Sequence, residues 1–157
     1  MDKMINIFLK NIEGTWISQK TIYYVNKKKF SFIKTKNQIK QVDTSNIIDN
    51  LLLPIENFDA LQIINLNKGK NIGNFFILNK KDNLSNLTKV SNSLKDNGHL
   101  KIYSNNCLKI KFTRNKISYI EYLYVIKNNF KISIGLIKMN NKYIAATFTS
   151  CIKVITA

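Results

Sequence analysis

The sequence predicts an all-β protein in which one short N-terminal helix precedes an up-and-down antiparallel barrel of about ten strands. Three observations carry this prediction. The hydrophobic period changes from helical to alternating after Gly14. Short strand-like segments then recur at a spacing of roughly ten residues. No long helical segment lies between them to make the crossovers of a parallel sheet.

The first segment has the pattern of an amphipathic helix. Asp2 can cap it, and the apolar side chains recur three and four residues apart before Gly14 ends the segment. These apolar positions are Met4, Ile5, Phe8, Leu9 and Ile12. We therefore expect one face of this helix to close or plug the barrel.

The segment after Gly14 has the period of a strand. One face carries Trp16, Ser18 and Lys20, and the other carries Gln19 and Tyr23. Both faces mix polar and apolar groups. That mixture suits a strand that lines a ligand cavity, because a dry core would leave the polar groups without partners. An ordinary edge strand is the alternative.

Later strands are rich in Ile, Phe, Tyr and Thr, and the last four have the pattern of an antiparallel meander. Asn-containing pairs separate them, for example Asn115-Lys116 and Asn140-Asn141, because Asn tolerates a positive φ. The residues from 46 to 53 suggest a short helix, and those from 84 to 94 suggest an irregular stretch. We find no linker, so residues 1–157 are expected to form a single domain.

The net charge of +16 suggests a polyanionic partner, but Lys, Asn and Ile are all encoded by A- and T-rich codons. A mutational bias can therefore account for a solvated lysine surface. No apolar run approaches the roughly 20 residues of a membrane span, and no targeting peptide is recognisable at the N-terminus. We expect neither a membrane nor a nucleic acid as partner, although a basic RNA-binding barrel remains an alternative.

The cysteine and histidine content predicts no metal site. Cys107 and Cys151 are widely separated, which favours two structural thiols in a reducing compartment. The single histidine, His99, lies in a turn-like Asp-Asn-Gly-His sequence without a second ligand at metal-binding spacing.

Three blocks of sequence carry a resemblance to a known family. Gly14-x-Trp16-x-Ser18-Gln19-Lys20-Thr21 resembles the Gly-x-Trp-x-Ser-Gln-Arg-Thr signature of the S-type phycobiliprotein lyases, CpcS and CpeS. The segments 121–125 and 129–133 are similar to the family's Glu-Arg-Ile-Trp-Phe and Asn-Leu-Arg-Leu-Arg. The segment 146–153 is similar to its Ala-Ser-Phe-Cys-Ser-Glu-Ile-Arg.

The resemblance implies a lipocalin-like barrel of the fatty-acid-binding-protein type and a chromophore lyase activity. The substrate of such a lyase is a phycobilin, either phycoerythrobilin or phycocyanobilin. The lyase attaches it to a cysteine of a phycobiliprotein α or β subunit. No permanently bound cofactor is implied. Because the acceptor cysteine is the nucleophile, Cys107 and Cys151 are expected to be structural thiols, with a transient thioether to the bilin as the alternative. The family's distribution and the A- and T-rich signature favour a plastid-encoded protein of the stroma over a cyanobacterial one. The sequence leaves open whether the barrel works as a monomer or a homodimer.

The same resemblance suggests roles for particular residues. Glu121 and Lys131 are the expected catalytic residues. Glu121 would accept hydrogen bonds from the pyrrole N–H groups of the bilin, and Lys131 would bind one of its propionates. The expected bilin-binding residues are Trp16, Ser18, Lys20, Tyr23, Tyr124, Ser133 and Phe148. Lys20 and Lys131 stand where the family has arginine, Tyr23 where it usually has histidine, Ser133 in place of a second arginine and Cys151 in place of a glutamate. A carrier of bilin or of another amphipathic acid, without lyase activity, is the alternative function.

Overall fold

Ten antiparallel strands form one closed barrel in a computed structural model of the protein. The structure describes residues 2–42, 58–68, 73–79, 85–91 and 94–155. Each strand pairs with the next along the chain, and β1 pairs with β10 to close the barrel. The all-β, up-and-down architecture expected from the sequence is therefore confirmed.

One helix precedes the strands. It is α1 (Asp2–Ile12), and a single 3-10 turn, Leu66–Lys68, follows the third strand. The strands are β1 (Gly14–Tyr24), β2 (Lys29–Val42), β3 (Phe58–Asn65), β4 (Gly73–Asn79), β5 (Ser85–Ser91), β6 (Leu94–Ser104), β7 (Cys107–Arg114), β8 (Ile117–Lys127), β9 (Phe130–Met139) and β10 (Lys142–Lys153). Among the described residues, no helix is long and apolar enough to cross a membrane.

The helix packs across the end of the barrel at which β1 begins, which we call the helix end. Its buried face matches the predicted helical spacing and consists of Ile5, Phe8, Leu9 and Ile12. These side chains pack in one core cluster with Trp16, which is 1% exposed. The indole Nε1 of Trp16 donates a hydrogen bond to the Ile12 carbonyl at 2.8 Å. The indole thereby joins the last turn of the helix to the first strand of the barrel.

The predicted turn chemistry is confirmed at two of the hairpins. Asn115 and Lys116 between β7 and β8, and Asn140 and Asn141 between β9 and β10, all have positive φ angles. Four residues with this backbone conformation suit tight connections between antiparallel strands. The meander from β7 to β10 follows directly from these short turns.

Two local expectations are wrong. Most of the stretch from 84 to 94 is the strand β5 (Ser85–Ser91), which is needed between β4 and β6 for the barrel to close. His99 lies within β6 rather than in a turn. Gly98 beside it serves close packing, since a Cβ there would lie 2.6 Å from the ring of Phe112. The short helix expected at 46–53 falls outside the described residues.

The contact between Trp16 and the helix leads to a stability prediction. We expect Trp16→Ala to lower the free energy of unfolding by about 3–5 kcal/mol, because it opens a cavity in the core and releases the helix. Phe32→Ala is a matched control, since Phe32 is 68% exposed and a surface change there should cost about 0.5 kcal/mol or less. Urea denaturation followed by circular dichroism measures both. Equal losses for the two variants would contradict the role given to Trp16.

Candidate functional site

The barrel encloses a cavity of about 580 Å³. Leu9 and Ile12 of α1 border it at the helix end. Toward the opposite end, Ile33 lines the cavity and is 43% exposed, so solvent reaches the interior there. Cavities of roughly 300–1,000 Å³ are typical of small-molecule binding sites. The interior is therefore large enough for an organic ligand.

The lining of the cavity is divided into two walls of different polarity. Strands β3 to β7 contribute an apolar wall, in which Lys89 is the one polar residue among those that the structure describes: Leu61, Ile63, Phe76, Leu78, Leu87, Lys89, Leu100, Leu108, Ile110 and Phe112. Strands β8, β9, β10 and β1 contribute a mostly polar wall, which also includes the apolar Leu123 and Trp16: Tyr119, Glu121, Lys131, Ser133, Thr149, Cys151, Ser18 and Lys20. Strand β2 lies between the two walls and contributes Ile33, Thr35, Asn37 and Ile39. This amphipathic interior fits an elongated ligand with one polar edge and one apolar edge.

Strand register arranges the polar wall in successive cross-strand rows. The row closest to the helix end is Ser18, Cys151 and Lys131, and the next is Lys20, Thr149 and Ser133. Glu121 lies one row further, opposite Gly135 and Thr147, and Tyr119 lies in the row after that. Six residues separate the first and last rows along each strand, which corresponds to about 20 Å. Polar groups therefore follow most of the length of the barrel.

Lys131 is a buried cation at the helix end of the polar wall. Its side chain is 5% exposed, and its Nζ lies 4.1 Å from the centroid of the Trp16 ring. Lys153 Nζ is 5.1 Å from the same centroid. Burial, which the nearby charge of Lys153 reinforces, lowers the pKa of Lys131 from 10.5 to about 8. The face of an indole attracts a cation, so Trp16 stabilises the ammonium in part.

Among the residues that the structure describes, none accepts a hydrogen bond from the Lys131 ammonium or forms an ion pair with it. An ammonium is normally buried together with a carboxylate or several acceptors, because its desolvation is costly. The cavity beside Lys131 is therefore a place where the anionic group of a ligand would be stabilised.

Glu121 and Tyr119 form the second charged feature of the polar wall. Burial first, and then the charge of the neighbouring Glu121, raise the pKa of Tyr119. Tyr119 therefore stays protonated and acts as a donor. Gly135 makes room for this ring, because a Cβ at residue 135 would lie 3.2 Å from the Tyr119 hydroxyl and would overlap Thr147. A carboxylate supported in this way can accept a hydrogen bond from a ligand N–H group.

Six of the nine site residues expected from the sequence line this cavity. They are Trp16, Ser18, Lys20, Glu121, Lys131 and Ser133. Lys20 also places its Nζ 6.0 Å from the centroid of the Tyr119 ring. The structure thus brings together both expected catalytic residues and four of the expected binding residues on one continuous wall.

The other three expected binding residues do not line the cavity, which corrects their assignment as bilin-binding residues. Tyr23, Tyr124 and Phe148 each lie an odd number of residues from an inward neighbour on the same strand, so they point outward. Phe148 is 48% exposed, and Tyr23 packs on the outer side against Phe30, with ring centroids 4.9 Å apart. They belong to an apolar outer surface.

Three residues of the site were not singled out as site residues by the sequence. Tyr119 lies two residues before Glu121 and therefore on the same strand face. Cys151 lines the cavity and accepts a hydrogen bond from the Ser18 hydroxyl at 3.2 Å. Lys153 adds a second cation near Trp16. The alternation of inward and outward residues along a strand could have predicted that each of them faces inward. Their burial and their distances to other groups could be obtained only from the structure.

The relatives of the chain identify its family. No protein-family model matches it. The chain is 32% identical over 149 residues to a protein of the red alga Gracilaria tenuistipitata var. liui described as a chromophore lyase CpcS/CpeS homolog. This similarity covers 93% of the chain and 95% of the relative. The chain belongs to the CpcS/CpeS chromophore lyase family.

Solved structures agree with the fold of this CpcS/CpeS family member. The S-type phycobiliprotein lyase CPES from Guillardia theta superposes with a TM-score of 0.72 over 98% of the chain and 94% of that protein, at 10% sequence identity. A protein of unknown function from Nostoc punctiforme gives a TM-score of 0.61 at 9% identity. The similarity covers 93% of the chain but 49% of that protein. Identities this low support the fold alone.

The lowered pKa of Lys131 predicts a pH-dependent stability. We expect Lys131→Met to be more stable than the natural protein by about 2 kcal/mol at pH 7, because it removes a buried ammonium while retaining volume. Between pH 8 and pH 10.5 the unfolded chain holds a proton on Lys131 that the folded chain has lost. The natural protein therefore gains stability relative to the variant as the pH rises through this window.

Urea denaturation of both proteins at pH 7 and at pH 10 measures this difference. The advantage of Lys131→Met should shrink at the higher pH. Lys34→Met serves as the control, since the Lys34 side chain is exposed on β2. This substitution should change the free energy of unfolding only slightly, and by the same amount at both pH values. An advantage of Lys131→Met that grows with pH would contradict the buried ammonium.

Proposed function

We propose that the protein binds a phycobilin in its amphipathic cavity and attaches it to a cysteine of a phycobiliprotein subunit. The observation that carries this proposal is the polar wall. On it, the buried ammonium of Lys131, with which no described residue forms a hydrogen bond or an ion pair, lies two rows from the carboxylate of Glu121. A linear tetrapyrrole has propionates and pyrrole N–H groups along one edge and an apolar surface elsewhere. Family membership supports the lyase reaction.

Each charged group of the wall has a role in this proposal. Lys131 pairs with one propionate and Lys20 with the second, as point charges that set the register of the bilin. Glu121, held by Tyr119, accepts hydrogen bonds from the pyrrole N–H groups and stabilises the protonated bilin. The apolar wall from β3 to β7 covers the opposite edge and excludes water. Ser18 and Ser133 add neutral hydrogen-bonding groups between these charges.

The chemistry of attachment requires no nucleophile from the lyase. The thiolate of the acceptor cysteine adds to the exocyclic ethylidene of the bilin, so a carbon–sulfur bond forms and one proton is added to the bilin. The lyase accelerates this step by holding the ethylidene in one orientation and by excluding other nucleophiles. The acceptor reaches the bilin from the end of the barrel opposite α1, where the interior meets solvent. We place the reaction in a plastid stroma, in keeping with the red algal relative.

Bilin titration tests the role of Lys131. We expect Lys131→Met to weaken the binding of phycocyanobilin or phycoerythrobilin by about 10- to 100-fold, because a charge-assisted hydrogen bond contributes roughly 1.5–3 kcal/mol. Pairing with a propionate raises the pKa of Lys131 in the complex, so the complex holds a proton that the free protein loses above pH 8. The affinity of the natural protein should therefore fall as the pH rises above 8.

Absorbance and fluorescence of the bilin measure this affinity. Lys34→Met is the control, since it removes one exposed lysine from the same barrel. Lys131→Arg should retain binding, because it restores a cation at the residue where the family has arginine. Unchanged affinity in Lys131→Met, or equal losses in the two methionine variants, would contradict the assigned site. Retention of the protein on RNA that is lost at higher salt would support the RNA-binding alternative instead.

Co-expression with a bilin pathway and candidate phycobiliprotein α and β subunits tests the transfer reaction. We expect a subunit to acquire a bilin that survives denaturation in acid urea only when the protein is present. Glu121→Gln should lower the yield by about tenfold, because it removes the charge that stabilises the protonated bilin. Bilin binding without any transfer to a subunit would indicate a carrier rather than a lyase.

A further inference from the structure

Cys151 lies at the centre of a polar row next to the helix end of the cavity. Ser18, Cys151 and Lys131 are direct neighbours across β1, β10 and β9, and their exposures are 7%, 6% and 5%. All three line the cavity. Directly opposite residues of antiparallel strands have Cβ atoms roughly 5 Å apart. The side chains of Lys131 and Cys151 therefore leave their strands side by side and enter the same part of the cavity.

The environment of Cys151 differs from that of the second cysteine. Both are free thiols. The Cys151 Sγ faces the cavity and accepts a hydrogen bond from the Ser18 hydroxyl. Cys107 pairs with Tyr124 on the outer face of β7 and β8, and burial raises the pKa of its thiol. Only Cys151 of this pair is placed to meet a molecule inside the barrel.

Lys131 is the independent sign that a ligand reaches this row. The residue is 5% exposed and lines the cavity, and no described residue pairs with its ammonium through a hydrogen bond or an ion pair. The anionic group of a bound molecule would stabilise such an ammonium. The anionic end of a bound molecule is thereby directed to the neighbourhood of Cys151.

We infer that Cys151 is a covalent binding site, at which the cavity thiol adds reversibly to the ethylidene carbon of the bound phycobilin. This inference rests on the proposed function, since it requires a bilin as the electrophile. It assigns to Cys151 a role that a structural thiol does not have. The adduct is a holding state, distinct from the transfer to the acceptor subunit.

The addition is balanced without an oxidant or a reductant. A bond forms between the Cys151 sulfur and the ethylidene carbon, the carbon–carbon double bond of the ethylidene becomes a single bond, and the thiol proton is added to the bilin. The reverse elimination restores the thiol and the ethylidene.

Reversal is necessary for the bilin to leave. The row of Cys151 lies at the helix end, where α1 covers the barrel, whereas an acceptor cysteine approaches from the opposite end. An acceptor thiol can therefore add to the ethylidene only after the adduct with Cys151 has been broken and the bilin has moved toward that opposite end. Covalent holding would protect the ethylidene from other thiols until then.

Mass spectrometry of the complete protein tests this inference. The natural protein is incubated with phycocyanobilin and then with phycoerythrobilin, and noncovalent binding is first recorded by absorbance. Each sample is then denatured in acid urea. We expect a mass increase of one bilin and, after proteolysis, the bilin on the peptide that contains Cys151. Cys107→Ser should form the adduct as the natural protein does, and Cys151→Ser should form none.

The outcomes separate the two proposals. Bound bilin that is released completely by acid urea would overturn the covalent site and leave the proposed function in place. A bilin found on Cys107 instead of Cys151 would also overturn it. Absence of any bilin absorbance would refute the proposed function and the covalent site together. Because the adduct is mapped in the natural protein, the conclusion does not depend on the folding of the Cys151 variant.

Discussion

The buried ammonium of Lys131 is the constraint on which the helix end of the barrel depends. Its desolvation is offset in part by the face of Trp16, 4.1 Å away. Trp16 is held in turn by the hydrogen bond from its indole to the Ile12 carbonyl. The ammonium, the indole and the last turn of α1 therefore form one unit. A change in any of them alters the position of the others and the shape of the cavity beside them.

Closure of the barrel brings the polar wall together from both ends of the chain. The first strand, which contains Trp16 and Ser18, pairs with the last strand, which contains Cys151 and Lys153. The sequence blocks that resemble the S-type lyases are β1, β8, β9 and β10, which are adjacent strands of one continuous wall. The apolar wall comes from the middle of the chain. Family likeness in the sequence is thus concentrated where the charged groups of the cavity lie.

Alternation along the strands determined which site residues were predictable. Trp16, Ser18 and Lys20 share a face two residues apart, and the structure places all three inside. Tyr23 lies seven residues after Trp16, and that odd separation already put it on the outer face. The strand β5 and the position of His99 were harder to predict. Local composition there favours turns, whereas closure of the barrel requires β5 between β4 and β6 and therefore imposes strands.

The stability and the function of the polar wall oppose each other. In the empty protein the buried ammonium of Lys131 lowers the free energy of unfolding, so a purely structural barrel would contain an apolar side chain at this place. A ligand anion would convert the same group into a favourable interaction. The free energy lost by the empty protein is then recovered on binding, which makes the affinity depend on the protonation of Lys131. Cys151, in the same row, is the nucleophile nearest to that interaction, so the group that attracts the ligand also brings it to the thiol.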